Sequence, residues 1–289
     1  MHSATAIGSR TAQAPRRRSD CGDRVDEPTH AVRDATTHDL CRRLHRLGGM
    51  DEISHISKAV LALNPQPRQY RWTSLTYCIV DAVWSIGSDY DNVVLKVVKD
   101  VAAVFKDESP TIPAQSLLPK DPVPLERFLE RFLERFQRTD GLLEVTNHQL
   151  TSTRNGSPKA HVVLEHAVRL RGANVDTLAE AQELLNDPAR AEVVDRTLRG
   201  LPGDGQHGSR RGYFWMLVGD DNQVKPDRMV LRWLHAQGSE VRSPATAAAL
   251  LREVAESMSA NGRPTSAWEV DHAIWLTQKS QSRKRKLTE

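Results

Sequence analysis

The stretch Gly200–Val230, "GLPGDGQHGSRRGYFWMLVGDDNQVKPDRMV", decides the fold. Gly203, Gly205 and Gly208 crowd a short turn between the helical pattern of "PARAEVVDRTLRGL" and the apolar run "GYFWMLV". Glycine adopts positive φ without steric cost and leaves its backbone amide unshielded by a β-carbon. Beside a helix N-terminus such amides make a phosphate site. A tight αα-hairpin needed only for chain reversal uses the same glycines, so both readings stand. His207, Ser209, Arg210 and Arg211 fall where side chains would reinforce a bound anion. Asp227 follows Pro226 and opens the next apolar helix, "RMVLRWL". An acidic residue there opposes the positive end of the helix dipole whatever else it does.

Outward from the hairpin, apolar residues recur three and four apart almost everywhere. "DLCRRLHRL" and "DEISHISKAVLALN" read as helices, and "NPQP" closes the second. "YRWTSLTYCIVDAVWSIGSDY", Tyr70–Tyr90, is apolar on most faces and predicts a central buried helix over 70–88. "DNVVLKVVKDVAAVFKD" predicts an amphipathic helix behind it, and "LERFLERFLERF" another with a Leu/Phe stripe. A helix is expected from about Ser157. "TLAEAQELLND" and "PARAEVVDRTLRGL" have Thr and Asp-Pro starts. "SPATAAALLREVAESM" and "TSAWEVDHAIWLTQKS" complete the series. The expectation is an all-α fold of roughly ten helices with no strand. Its parts would be a disordered arm over 1–33, an N-terminal helical part over 34–140, a hairpin-bearing part over 141–280, and a disordered basic tail over 281–289.

The net charge of +3 does not by itself imply a polyanionic partner. Cys21, Cys41 and Cys78 are far apart and form no CxxC pair, which argues against a zinc ribbon, an iron–sulfur site or a disulfide framework. No apolar run reaches membrane-span length and no apolar signal core opens the chain. The expectation is a cytoplasmic protein without metal or cofactor.

"LPGDG", an apolar helix and "VKPDRMVLRWL", in that order, resemble the helix-hairpin-helix and Gly/Pro…Asp signature of the HhH-GPD base-excision DNA glycosylase superfamily. "SLTYCIVDAVWSIGSDYDNV" resembles that superfamily's early buried helix, and "GSPKAHVVLEHA" its helix before the hairpin. The resemblance spans about Tyr70 to His235 and implies a glycosylase-like helical bundle acting on double-stranded DNA. It implies that the hairpin grips the phosphate backbone and that Asp227 is the catalytic carboxylate. A fixed carboxylate stabilises the positive charge that builds on the sugar as an N-glycosidic bond breaks. Superfamily members that also cut the backbone carry a lysine at the start of the hairpin's second helix; "GQHGSRR" has none, and Lys225 lies before a different helix. The four-cysteine iron–sulfur loop is missing too. The resemblance therefore implies base removal without strand cleavage; the alternative is a non-catalytic DNA-binding protein.

Other candidates divide between functional and structural roles. Trp84 and Asp81 suit either a base pocket or the core, and a buried Asp81 requires partners. Arg154 and Asn155 suit either a phosphate contact or a solvated Asn-Gly turn. Lys159 at a helix start opposes the dipole, so it is expected to face an anion or solvent. Asp271 and His272 are adjacent on a helix and are expected to point apart, one packing or capping internally.

Overall fold

The computed structural model describes residues 51–134, 141–205 and 208–288. Among these the fold is all-α apart from one small sheet. Helix α1 covers 51–62. Strand β1, Tyr70–Trp72, pairs antiparallel with β2, Thr111–Pro113, in the register Tyr70↔Pro113 and Trp72↔Thr111.

This corrects the single helix expected from Tyr70. Ser74 stops it: its Oγ accepts from the Thr76 amide at 3.1 Å and donates to the Val123 carbonyl at 2.8 Å, so α2 spans Leu75–Trp84. A side-chain cap fixes the first turn locally. Every residue of α2 is buried. A single π-helical turn, Tyr90–Val94, leads into α3, Leu95–Val104.

The LERF repeat forms α4, Leu125–Leu129, continued by a π turn over Glu130–Glu134 that ends the clean four-residue stripe. Helices α5 (Gly141–Val145), α6 (Lys159–Gly172), α7 (Leu178–Leu184) and α8 (Pro188–Leu198) follow. The Thr177 and Asp187 starts are as expected: both side chains cap, Thr177 in a reciprocal box with Glu180. The series ends with α9 (Ser209–Val218), α10 (Arg228–Ala236), α11 (Pro244–Ala260) and α12 (Ala267–Thr288), the last running through most of the segment read as a tail. The arm over 1–33 and the helix "DLCRRLHRL" lie outside the described residues.

Two apolar clusters form, and they do not divide at residue 140. The larger surrounds α2 with α3, α4, α6 and α9. The smaller joins Ile56 and Val60 of α1 to α10, α11 and α12. Trp268 of α12 belongs to the larger cluster although its helix otherwise builds the smaller one. At the end of α2, Gly203 (φ +78°) lies so close that a β-carbon would sit 2.8 Å from Ile86 and 3.0 Å from Thr151. The hairpin thus packs on the 85–88 and 151–156 loops.

Candidate active site

Asp81 projects from the buried helix and is fully enclosed. Trp72 Nε1 (2.9 Å) and Tyr90 Oη (3.0 Å) donate to its Oδ2, and Tyr213 Oη (3.1 Å) to its Oδ1. Burial raises its pKa, and the three donors oppose that rise. The carboxylate lies behind these rings and orients them. Tyr90, Tyr213 and Trp72 in turn line a cavity of about 490 Å³ that also reaches Lys225, Asp227, Trp268, Asp271, His272 and Trp275.

Asp227 is the N-cap of α10. Its Oδ1 accepts from the Met229 amide at 2.7 Å and the Val230 amide at 3.1 Å. Oδ2 accepts no hydrogen bond among the described residues. Two residues earlier, Lys225 Nζ donates to Ser85 Oγ at 2.9 Å and lies 3.7 Å from the Tyr213 ring centre. Burial lowers its pKa, against the charges of Asp81, Asp227 and Asp271.

Asp271 closes this group from α12. It is only 4% exposed, and its Oδ1 is buried without a partner. Burial, and then the neighbouring Asp227 charge, push its pKa up to about 8, while Lys225 and its backbone N–H hold it down. A carboxyl so placed keeps its proton at neutral pH. Asp271 and His272 both line the cavity, and Asp271 packs internally, as expected of one of the pair. "WEVDHAIW" carries the signal: Trp268, Asp271, His272 and Trp275 stand at i, i+3, i+4 and i+7, one helical face.

Along that face the rings stack. Trp268 and His272 are 4.6 Å apart at 15°, and His272 and Trp275 are 5.7 Å apart at 19°. Arg68 covers Trp268 at 4.5 Å and Lys279 covers Trp275 at 4.5 Å. Burial first, then these two cations, push His272 down to about 4, so the ring is neutral.

The remaining predicted residues lie elsewhere. Trp84 is core, its Nε1 donating to Asn147 Oδ1 at 3.0 Å, and it does not line the cavity. Lys159 is 1% exposed and reaches neither solvent nor an external anion. Its Nζ donates to the Trp84 and Ile86 carbonyls (3.0 and 2.7 Å), Ser88 Oγ (2.8 Å) and Gln149 Oε1 (3.2 Å). The negative end of α2 is the anion it faces. Burial lowers its pKa to about 8.

In the hairpin, the arginines turn inward. Arg210 is 3% exposed, with Nη1 donating to His166 Nδ1 at 3.1 Å and Nη2 3.5 Å from Asp204. Arg211 pairs with Asp204 at 2.8 Å and with Asp195. Both therefore brace the turn, correcting their expected outward reach. Gly205 and Gly208 hold φ +76° and +73°, and Gly208 precedes Ser209, the first residue of α9. A β-carbon at Gly208 would meet Arg211 Nη2 at 2.3 Å. His207 lies outside the described residues. Arg154 and Asn155 are exposed in a turn where Asn155 adopts φ +52°.

Among the described residues no group of three or more His, Cys, Asp and Glu side chains is placed to hold a metal, and no helix is long and apolar enough to cross a membrane. Cys78 is buried and free. No curated protein and no solved structure matches the chain. Residues 51–279, which include α1, the hairpin and the whole aromatic face of α12, match one family model, described as a domain of unknown function, DUF8548. On that match over most of its length, the chain belongs to the DUF8548 family.

Proposed function

We propose that this protein is a DNA glycosylase-like enzyme that removes a modified, damaged or mismatched base from double-stranded DNA by hydrolysis. The observation that carries the reading is the division of labour at Asp227. One oxygen is committed to two helix amides, which fixes the carboxylate; the other is unclaimed at a cavity with aromatic walls. A preorganised charge of this kind favours a developing sugar cation without reorganising at the moment of reaction. A flipped base needs a pocket that a side-chain wall can line, and about 490 Å³ accommodates one.

The 85–88 loop, the 151–156 loop and the hairpin would meet the duplex together. With Arg210, Arg211 and Lys159 turned inward, the hairpin's grip on phosphate would come from its main chain, which reads no sequence. Lys225 lies at the cavity, but its amine is held by Ser85 and the Tyr213 ring. The product expected is an intact abasic strand, broken only by later alkali or heat.

Duplexes carrying alkylated, oxidised, deaminated and hypermodified bases, tested for abasic-site formation with and without borohydride, check the proposal. Base release from at least one duplex, with no trapped covalent complex, is the expected result. DNA binding without base release across the panel would leave the non-catalytic alternative, and a complex trapped at Lys225 would establish lyase chemistry instead.

A further inference from the structure

We propose that Lys225 is the general acid of this site: its ammonium passes a proton to the departing base, which suits the cavity to bases that carry no charge in the duplex. The inference rests on reading the cavity as the base site and Asp227 as its carboxylate.

Position is the first support. Lys225 and Asp227 stand on either side of Pro226, and both line the cavity. The Asp227 amide donates to the Lys225 carbonyl at 2.7 Å, closing a three-residue turn around the proline. Proline fixes φ at its centre, so the two side chains leave a main chain of set geometry. The head group is the second support. Ser85 Oγ donates to the Ala82 carbonyl at 2.9 Å, which leaves a lone pair of that hydroxyl for Lys225 Nζ, also at 2.9 Å. Nζ lies 3.7 Å from the centre of the Tyr213 ring, itself part of the cavity wall. A ring face attracts an ammonium, so this arrangement favours the protonated form.

An ammonium has three N–H donors. Ser85 takes one, and among the described residues no carboxylate pairs directly with Nζ. Asp81, Asp227 and Asp271 act on it from longer range and favour its charge, and Lys159 is a cation near enough to feel that charge. Burial outweighs the three carboxylates, so Lys225 gives up a proton more readily than a solvated lysine. That suits an acid working near neutrality.

The step balances. The bond from the sugar carbon to the base nitrogen breaks with its electron pair left on the base, and the Lys225 ammonium supplies the proton that makes the free base neutral. A water oxygen bonds to the sugar carbon and gives one proton to Asp227. Return of that proton to the Lys225 amine through solvent restores both groups. A base already positive in the duplex leaves as a neutral molecule and needs no such proton.

Single-turnover base release by the full chain tests this, on duplexes carrying hypoxanthine, uracil, 8-oxoguanine or cationic 7-methylguanine. At least one of the three uncharged bases is expected to be released. Lys225→Met should slow that release about 10²-fold or more at about pH 7.5, with DNA affinity within about threefold of the parent. At about pH 5.5 solvent protonates the base about a hundredfold more often, so the deficit should shrink by at least about tenfold. Asp271, pushed up to about 8, and His272, pushed down to about 4, titrate outside this window. Lys225→Arg keeps the charge but holds its proton, so it should show the same deficit and the same narrowing, and it serves where the Met variant does not fold. A deficit equal at the two pH values, parent-like release by either variant, release of 7-methylguanine alone, or a borohydride-trapped complex at Lys225 would each overturn the inference. Loss of release in Asp227→Asn but not in Lys225→Met would remove this inference alone. Release from no duplex at all would remove the enzyme reading and this inference with it.

Discussion

The Oδ1 atom of Asp227 holds the first turn of α10 through two amides, and Oδ2 accepts no hydrogen bond among the described residues; the proposed enzyme would use that second oxygen. Asn is as good an N-cap as Asp, so Asp227→Asn separates the two duties. Base release is expected to fall about 10²–10³-fold, the usual cost of one preorganised electrostatic contact. DNA affinity should hold or rise, because a negative charge near phosphates is gone, and the melting temperature should barely move; preserved base release would show that Asp227 is only a cap. Asp271 makes a different prediction. The folded chain keeps its proton up to about 8, whereas the unfolded chain loses it near 3.8. Between those values the folded state binds more protons, so this group's contribution to stability falls as pH rises and is flat on either side. The melting temperature of Asp271→Asn relative to the parent chain should therefore rise from about pH 5 to about pH 8. A constant difference across that window would contradict the assigned protonation.

Among the elements, α6 and the hairpin show how close packing is bought with unusual residues. Lys159 joins the start of α6 to the end of α2 and to the 85–88 loop through four hydrogen bonds. Replacing it with Met keeps the stem but strands two carbonyls, and a loss of about 3 kcal/mol is expected in chemical denaturation. Faster amide exchange in the 85–88 loop should accompany it. Gly200 and Gly203 share φ +78°, but only Gly203 has neighbours within 4 Å of a β-carbon. Gly200→Ala should cost about 1–2 kcal/mol of backbone strain. Gly203→Ala should cost about 1–3 kcal/mol more through overpacking, and should weaken DNA binding for every sequence alike. Equal losses at the two positions would mean that the hairpin is not pressed against Ile86 and Thr151.

Across the whole molecule, α12 ties the two apolar clusters together. Trp268 enters the larger one, its ring is covered by Arg68, and its amide donates to the Asp221 carbonyl at 2.9 Å. Its neighbours Val270 and Ile274 belong to the smaller cluster. Trp268→Ala is expected to cost about 3–5 kcal/mol, and to lower the denaturant m-value as the clusters begin to unfold separately. A single sharp transition with an unchanged m-value would show that other contacts couple them.

The sequence by itself determined the helical class, most helix positions, the Thr177 and Asp187 caps and the hairpin with Asp227 beyond it. These rest on periodicity and on hydrogen bonds that reach only a few residues along the chain, so local sequence suffices. Ser74 was also a local signal, yet the apolar run from Tyr70 to Trp84 masked it, and β1 needed a partner some forty residues away. Only the tertiary structure decided which charges face inward. Arg210 and Lys159 look like surface cations in sequence. Their partners, His166, Asp204 and the carbonyls ending α2, are brought to them by packing. The same holds for Asp271, whose proton is set by burial and by Asp227 rather than by its neighbours in the chain. Hydropathy records what a side chain prefers on average; the state of a charge depends on groups that only the fold places beside it.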